Sequence, residues 1–344
     1  MRTAVVTGSS GLIGSEMVAF LDARGWRTEG IDNNMRRDFF GEGGDTRPNL
    51  EALVRSAKQF THHDVDVRDR DTVERIVRDA KPDLIVHCAA QPSHDLAAQR
   101  PFDDFEVNAV GTLNVVEAAR THAPESPFAF LSTNKVYGDA PNEVELVELD
   151  SRWDYADGRA GIDESCRVDE TQHSLFGVSK LAADVLVQEY GRYFGLPTVC
   201  LRAGCVTGAR HAGVELHGFL AYLVQTVLRG GMYRIYGYKG KQVRDNIHAL
   251  DVSSAVLAFA ERPSAGAVYN LGGGRENSIS VLEAIERFEE LTGRGLEREY
   301  VNEPRRGDHI CYITDLARFR RDYPEWELTI SLEGILSELT AAAG

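Results

Sequence analysis

The sequence predicts an α/β fold in which a doubly wound parallel sheet carries a smaller C-terminal lobe. Three observations predict it: a β-branched run at residues 3–7, a glycine-rich turn leading into a helical pattern through Arg24, and continued alternation of strand and helix patterns. The 344 residues are 43% hydrophobic and 26% charged, which is typical of a globular protein whose core needs no disulfide or metal.

The later elements repeat this alternation. Strands are predicted at residues 27–31, 60–65, 84–87 and 128–132, and helices at residues 69–80, 102–119 and 175–194. Right-handed crossovers place ligands at the carboxyl ends of parallel strands. We therefore expect one crevice, bordered by Asp66, Ala89, Ala90, Gln91 and Thr133.

The turn after the first strand points to a dinucleotide. Its spacing, G-x-x-G-x-x-G, lets the backbone approach a pyrophosphate at a helix N-terminus, although such turns also occur for steric reasons alone. Asp32 ends the second strand, where a carboxylate accepts hydrogen bonds from ribose hydroxyls and favours NAD. Arg36 and Arg37 could instead hold a ribose phosphate, which Asp32 would repel. The contacts predicted here are Gly8, Ser10, Gly11, Leu12, Ile13, Gly14, Asp32 and Asn33.

These features predict two domains. Residues 1–205 form a Rossmann-type NAD-binding domain with an insertion at residues 139–172. Residues 206–344 form mainly a substrate-binding lobe, and residues 243–272 within them return to the Rossmann-type domain.

Motifs along nearly the whole chain resemble those of extended short-chain dehydrogenases/reductases, the NAD-dependent epimerase/dehydratase family. In chain order they are Gly8 to Gly14, Asp66-Val67, His87-Cys88-Ala89-Ala90, Asn108 in VNAVGT, Ser132 to Gly138, and Ser179-Lys180. The resemblance implies NAD as cofactor. It adds as cofactor contacts Asp66, Val67, Ala89, Ala90, Gln91, Asn108, Lys180 and Arg202.

This chain departs from the catalytic motif of that family at one position. Its members use Ser or Thr with Tyr and Lys in Y-x-x-x-K to handle the proton of a substrate hydroxyl, and Thr133 and Lys180 match two of these positions. Phe176 stands at the usual Tyr position and cannot carry a proton. Cys205 or Lys135 could replace it, although a buried packing thiol and a solvated lysine are the plainer interpretations. His173 and His94 titrate in a suitable range, and the sequence does not rank one above the other.

Further segments resemble one branch of the family, the CDP-tyvelose (CDP-paratose) 2-epimerases. They are residues 32–35, 90–94, 132–138, 161–165, 241–245 and 270–273. This resemblance implies NAD-dependent inversion at C2 of a CDP-hexose or related sugar nucleotide through a transient keto-sugar. A sugar-nucleotide dehydratase is the first alternative, but such enzymes resemble T-D-E where this chain has Thr133-Asn134-Lys135. A non-catalytic NAD-binding sensor or scaffold, suggested by Phe176, is the second.

The substrate lobe is expected to supply cations for a diphosphate, since arginine binds such groups in a bidentate manner. The predicted substrate contacts are His94, Asn134, His173, Ser174, Lys241, Arg244 and Arg306. Each cation could equally belong to a solvated surface.

Charge and composition limit the classes of partner that this protein is expected to bind. The formal net charge of −15 argues against nucleic acid, and no apolar run is long enough to cross a membrane. Five cysteines without a C-x-x-C pair make a metal site improbable, and a first strand starting at Thr3 leaves no room for a leader, so we expect a cytoplasmic protein. The family resemblance of helices 102–119 and 175–194 implies a homodimer or homotetramer.

Overall fold

The computed structural model describes residues 1–215, 217–305 and 307–344. Its strands are β1 (Thr3–Thr7), β2 (Arg27–Ile31), β3 (Phe60–His63), β4 (Leu84–His87), β5 (Phe128–Thr133), β6 (Leu146–Glu148), β7 (Trp153–Tyr155), β8 (Thr198–Ala203), β9 (Cys205–Thr207), β10 (Met232–Tyr236), β11 (Val243–His248), β12 (Ala267–Leu271), β13 (Ser278–Ser280), β14 (Glu297–Val301) and β15 (Cys311–Tyr312). Its α-helices are α1 (Leu12–Asp22), α2 (Met35–Phe40), α3 (Arg47–Ser56), α4 (Arg70–Ala80), α5 (His94–Gln99), α6 (Pro101–Phe105), α7 (Gly111–His122), α8 (Leu175–Phe194), α9 (Phe219–Arg229), α10 (Ala249–Glu261), α11 (Val281–Thr292), α12 (Ala317–Asp322) and α13 (Leu332–Ala343).

A seven-stranded parallel sheet in the order β12-β8-β5-β4-β1-β2-β3 forms the centre of the molecule. Every residue of β1 is buried, as expected for a parallel strand covered on both faces. The strand order reverses at β1, which pairs with β2 on one side and β4 on the other. Such a reversal opens a crevice at the carboxyl ends of the strands. The predicted doubly wound α/β fold is confirmed.

Alternating side chains build a core on each face of the sheet. Ala4 and Val6 pack in one cluster with apolar residues of α1, α10 and α12. Val5 points to the other face and packs with residues of α4, α7 and α8. The two-residue period of a strand therefore supplies both layers from one short run of sequence.

Most predicted elements have the expected position, and two differ. The strand predicted at residues 60–65 ends at His63. The helix predicted at 102–119 is α6, a π-helical turn at Glu106–Val110 and α7. This turn contains Asn108, whose side chain bonds to the backbone of Gln91, and π-turns often occur at functional sites.

Most of the remaining elements lie beside the large sheet. Helices α9, α11 and α13 share an apolar cluster with strand β10. Strand β11 pairs with β9, β13 and β15, whereas α10 packs against α1 and β12 joins the large sheet. The predicted domain boundaries stay a prediction. Among the described residues, no helix is long and apolar enough to span a membrane.

A buried ion pair joins α8 to the sheet. The Arg202 guanidinium donates to the Asp184 carboxylate at 2.8 and 3.2 Å, and their side chains are 7% and 0% exposed. Arg202 also donates to the Tyr137 hydroxyl, which bonds to Asn270 on β12. Arg202 was predicted to contact the cofactor, but these bonds hold its side chain inside the protein.

Replacing Arg202 with Met should destabilise the fold because it leaves the Asp184 carboxylate buried without its cation. We expect the free energy of unfolding, measured in urea, to fall by ~3–5 kcal/mol. The control Arg234→Met removes an exposed pair with Glu299 and should cost less than ~1 kcal/mol. Equal, small losses in both variants would contradict the structural role of Arg202.

Candidate active site

A cavity, here called the turn cavity, lies at the carboxyl ends of β1, β2 and β4. Among the residues lining it are Gly8, Gly11, Asp32, Asp66, Ala89 and Lys180. Gly8 has a φ of +66°, and a Cβ there would lie 2.8 Å from the Ala89 nitrogen. A Cβ on Gly14 would lie 2.1 Å from the Gly8 oxygen. Both positions therefore require glycine, and the backbone lines the cavity without side chains.

Asp32 occupies the predicted place directly after β2. Its carboxylate accepts hydrogen bonds from the backbone nitrogens of Ser10 at 3.0 Å and Asn34 at 2.7 Å. Burial raises the pKa of this carboxyl. Arg36 lines the same cavity and donates to the Ala212 oxygen at 2.7 Å, and Arg37 lies 3.9 Å from Asp45.

Other predicted cofactor residues fall into two groups. Leu12, Ile13, Gly14, Asn33, Val67 and Ala90 line the turn cavity together with the residues named above. Gln91 and Asn108 do not border it, because both are buried and bond to each other and to Asp104. Their contacts fix the loop after β4 against the π-helical turn, so the expectation that Gln91 borders the crevice is wrong.

A second cavity, the lobe cavity, lies between the sheet and the C-terminal elements. Its lining includes Asn134, Lys135, Cys205, Arg244, Arg305 and Asp308. Thr133 and Phe176 line both cavities, as do His211 and His217 in the connection between β9 and α9. A ligand in one cavity therefore shares a wall with a ligand in the other at Thr133 and Phe176.

Helix α8 positions Phe176 and Lys180 one turn apart. Its N-cap is Ser174, whose hydroxyl accepts from the Gly177 nitrogen at 3.1 Å. The Lys180 ammonium donates to the Leu131 oxygen at 2.7 Å, and burial lowers its pKa to about 8. Lys180 lines the turn cavity only.

The Phe176 ring makes an aromatic contact with a histidine. Its ring meets that of His94 edge-on at 5.1 Å between centroids. His94 Nδ1 lies 2.6 Å from the Ser174 hydroxyl, and burial lowers the pKa of His94 to about 3. This imidazole is therefore neutral in the physiological range. The predicted substrate residue Ser174 bonds to it and is itself absent from the described lining of the lobe cavity.

Three charged side chains form a cluster in the lobe cavity. The Lys135 ammonium donates to the Gly307 oxygen at 2.9 Å and lies 3.8 Å from the Asp308 carboxylate. Asp308 also pairs with Arg244. Burial lowers the pKa of Lys135 to about 8, whereas Arg244 and Lys135 outweigh burial and hold the pKa of Asp308 well below its usual range. Sequence reasoning missed Asp308, because only the fold brings it to Lys135.

Two predicted substrate residues lie away from the lobe cavity. Both ring nitrogens of His173 lie near backbone oxygens, at 3.1 Å from Thr171 and 2.7 Å from Val136. Lys241 pairs with Glu148 at 2.8 Å. The polar atoms of His173 and Lys241 are thus engaged with other groups of the protein, and their roles in substrate binding stay predictions. Arg306 lies outside the described residues.

Cys205 does line the lobe cavity, at the start of β9. Burial raises the pKa of its thiol to about 11. It therefore stays protonated near neutral pH and is a poor base.

Comparison with known proteins assigns the chain to a family. The profile described as "NAD dependent epimerase/dehydratase family" matches residues 4–272. This chain belongs to that family. Its relatives include the CDP-paratose 2-epimerase of Salmonella typhi, 32% identical over 322 residues that cover 91% of each chain. The dTDP-glucose 4,6-dehydratase 1 of Escherichia coli is 27% identical and covers 93% of this chain and 83% of its own length.

The fold agrees with solved structures of the same family. The UDP-glucose 4-epimerase of Thermus thermophilus, solved in complex with NAD, superposes with a TM-score of 0.79 over 99% of each chain at 27% identity. The predicted family and the predicted NAD cofactor are confirmed, and the chain is an NAD-dependent enzyme. The turn cavity fits this cofactor, since its glycine turn leaves backbone space for a pyrophosphate and Asp32 offers acceptor oxygens.

Asn49 on α3 ties the connection between β9 and α9 to the glycine turn. Its amide donates to the Ser10 oxygen at 3.1 Å and to the Arg210 oxygen at 3.0 Å. Arg210 also pairs with Glu16 of α1 at 3.2 Å. The glycine turn and this connection are thus joined by one side chain.

Replacing Asn49 with Ala should speed the release of NAD from the purified protein. Two hydrogen bonds of ~1 kcal/mol each correspond to roughly tenfold or more in the dissociation rate. Stopped-flow fluorescence of bound NADH measures this rate. Glu51→Ala on the same helix is the control because Glu51 is exposed and pairs only with Arg55 among the described residues. Identical release from both variants would show that the tie does not hold the cofactor.

Proposed function

We propose that this enzyme is a nucleotide-sugar epimerase that inverts C2 of a CDP-hexose or a related sugar nucleotide. The observation that carries the proposal is the shared wall of the two cavities, where Thr133 borders both. A sugar in the lobe cavity would thereby lie beside the cofactor. Similarity to the CDP-paratose 2-epimerase of Salmonella typhi supports C2 as the carbon and CDP as the nucleotide.

The turn cavity would hold NAD through the glycine turn at its pyrophosphate and through Asp32 and Asn33 at the adenosine ribose. Lys180 would approach the other ribose, since its ammonium borders the same cavity near Leu131. When bound, NAD can take hydride from a sugar carbon and return it, so that epimerisation needs no net oxidation. The residues of the chain orient the two partners and keep water from the reacting carbon.

The lobe cavity would hold the sugar nucleotide. Arg244 is the buried cation best placed for its diphosphate, and Arg305 borders the same space. Thr133 can hydrogen-bond a sugar hydroxyl, and Asn134 offers both a donor and an acceptor without charge. Inversion requires the keto-sugar to turn its other face to the cofactor while the diphosphate stays anchored.

Dehydration fits this lobe cavity less well, although dehydratases are among the relatives. Elimination of water needs one group to protonate the leaving hydroxyl and another to take a carbon-bound proton. Asn134 has no acidic proton. Asp308 is held ionised by Arg244 and Lys135, which keep its pKa low, so it is not a proton donor near neutral pH.

A non-catalytic NAD-binding sensor is a second candidate function, favoured by one observation. Phe176 removes the phenol that the family uses for proton transfer, and the ring contacts His94 instead. This candidate predicts cofactor binding without turnover.

We also propose a homodimer through the α6–α7 and α8 surface, consistent with the family resemblance. Its exposed apolar side chains are Phe102, Phe105, Val110, Leu113, Val178, Val185 and Tyr193. A second copy of the chain would remove this surface from water, and the mass of the protein in sedimentation equilibrium tests it.

Incubation with a panel of CDP-, UDP-, GDP- and dTDP-hexoses, without added cofactor, distinguishes the candidate functions. We expect NMR of the products to show a hexose inverted at C2, formed fastest from a CDP-sugar. The Thr133→Val variant should be slower by ~10²-fold, because it loses a hydroxyl that holds the reacting oxygen.

Three outcomes would contradict the proposal. A keto-deoxy sugar would identify a dehydratase. Inversion at another carbon would refute the C2 assignment. NAD bound without turnover of any sugar nucleotide would favour the sensor.

A further inference from the structure

The proposed epimerase needs a group that takes the proton of the sugar hydroxyl and later returns it. Phe176 cannot do this, and the carrier must border the lobe cavity, where the sugar would lie. It must also exist in both protonation states near neutral pH. This inference rests on the proposed function and names the residue that performs its proton transfer.

Most titratable groups near Phe176 fail one of these requirements. The Cys205 thiol stays protonated, because burial raises its pKa, and His94 stays neutral with Nδ1 engaged by Ser174. His173 lies outside the described lining of the lobe cavity, with both ring nitrogens near backbone oxygens. Lys180 borders the turn cavity only and donates to a backbone oxygen there.

Lys135 meets the positional requirement. It follows Thr133 by two residues, and its backbone nitrogen donates to the Thr133 hydroxyl at 3.3 Å. Its ammonium bonds to the Gly307 oxygen, and a Cβ at Gly307 would lie 3.3 Å from His94 Nδ1. His94 in turn touches the Phe176 ring. The Lys135 side chain therefore lines the same cavity as His94, Phe176 and Thr133, where the sugar would lie.

We propose that Lys135 is the catalytic residue that carries the substrate proton in place of tyrosine, and that Asp308 is its positioning residue. Asp308 lies 3.8 Å from the ammonium and also pairs with Arg244, the cation assigned to the diphosphate. One carboxylate thus links the proton carrier to the group that anchors the substrate.

The step balances in atoms and electrons. NAD would supply the oxidant that accepts the C2–H electron pair and hydrogen, while the O–H bond at C2 would break and its proton would form an N–H bond on the neutral Lys135 amine. A ketone would remain. Return of hydride to the opposite face would restore the C–H bond, and the Lys135 ammonium would return its proton to the oxygen.

Burial makes this lysine able to change its charge in the working range. It lowers the pKa of Lys135 to about 8, so the neutral form increases as pH rises through that value. Asp308 acts in the opposite direction by favouring the ammonium. The charged or titratable groups that face Lys135 from neighbouring elements are His94, Cys205, Arg244, Asp308 and His309.

The first test compares Lys135→Met and Lys135→Arg with wild type in the C2 epimerisation of a CDP-hexose. We expect kcat to fall by ~10²-fold or more in both variants, because neither side chain releases and accepts a proton near neutral pH. Lys135→Arg keeps the charge beside Asp308, so a purely structural role would leave its activity intact. Bound NAD, measured after denaturation, confirms that each variant is folded.

A rescue variant adds a readout that loss of structure cannot mimic. The double variant Lys135→Met, Phe176→Tyr should regain at least about tenfold in kcat, because a phenol would then stand one helical turn from Lys180.

The pH dependence of kcat provides a further test. The kcat of wild type should rise through pH ~8, the Lys135→Arg variant should lack this rise, and Asp308→Asn should move it to lower pH. Lys58→Met, at an exposed lysine, is the control and should match wild type.

A direct titration needs no turnover. Acetic anhydride labelling across pH, read by mass spectrometry, should show Lys135 reacting as a group whose pKa is about 8, below the ~10.4 of an unperturbed lysine. Lys135 reacting like an unperturbed lysine, with a pKa near ~10.4, or an active wild type with Lys135→Met within about threefold of it, would overturn this inference and leave the epimerase proposal standing. A wild type that turns over no sugar nucleotide would overturn both.

Discussion

The buried carboxylate of Asp184 sets the geometry on which the site depends. It belongs to α8, accepts two hydrogen bonds from Arg202 on β8 and accepts another from the Ser132 hydroxyl on β5. Three elements are thereby fixed to one another inside the core, where a misplaced partner would leave an uncompensated charge. Thr133 follows Ser132, and Lys180 precedes Asp184 by one helical turn. The pair thus holds the wall between the two cavities in one arrangement.

An epimerase of this kind must retain its cofactor throughout the reaction. An epimerase that oxidises and then reduces the same sugar works only if the reduced cofactor stays in place between the two steps. The turn cavity is lined by the glycine turn and by the connection between β9 and α9, which Asn49 and Glu16 tie down. We therefore expect these contacts to slow the release of the cofactor as well as to stabilise the fold.

The sequence predicted well what local pattern determines. The strands β1, β2 and β4, the helix α8, the glycine turn and Asp32 lie where short-range periodicity and turn chemistry place them. Side-chain direction was harder, because a family position says where a residue lies but not which partner it takes. Arg202 and Gln91 occupy expected positions in the chain, yet buried hydrogen bonds turn them into the core.

Contacts between distant segments could not be predicted at all. Lys135 and Gly307 are 172 positions apart, and nothing in the local sequence shows that the Lys135 ammonium donates a hydrogen bond to the Gly307 oxygen. No motif distinguishes Asp308 in the sequence, although it pairs with both Lys135 and Arg244 in the structure. Because this pairing could not be predicted, Lys135 was only one of several candidates for the missing proton carrier.

The most direct test of an NAD-dependent inversion is the fate of the hydrogen on the inverted carbon. A CDP-hexose deuterated at C2 should be epimerised in ordinary water, and the product should be analysed by NMR and mass spectrometry. Internal return of hydride predicts a product that keeps its deuterium at C2 and forms more slowly than the protiated one. Exchange of that deuterium for solvent hydrogen would contradict it, because the C2–H bond would then be broken by deprotonation.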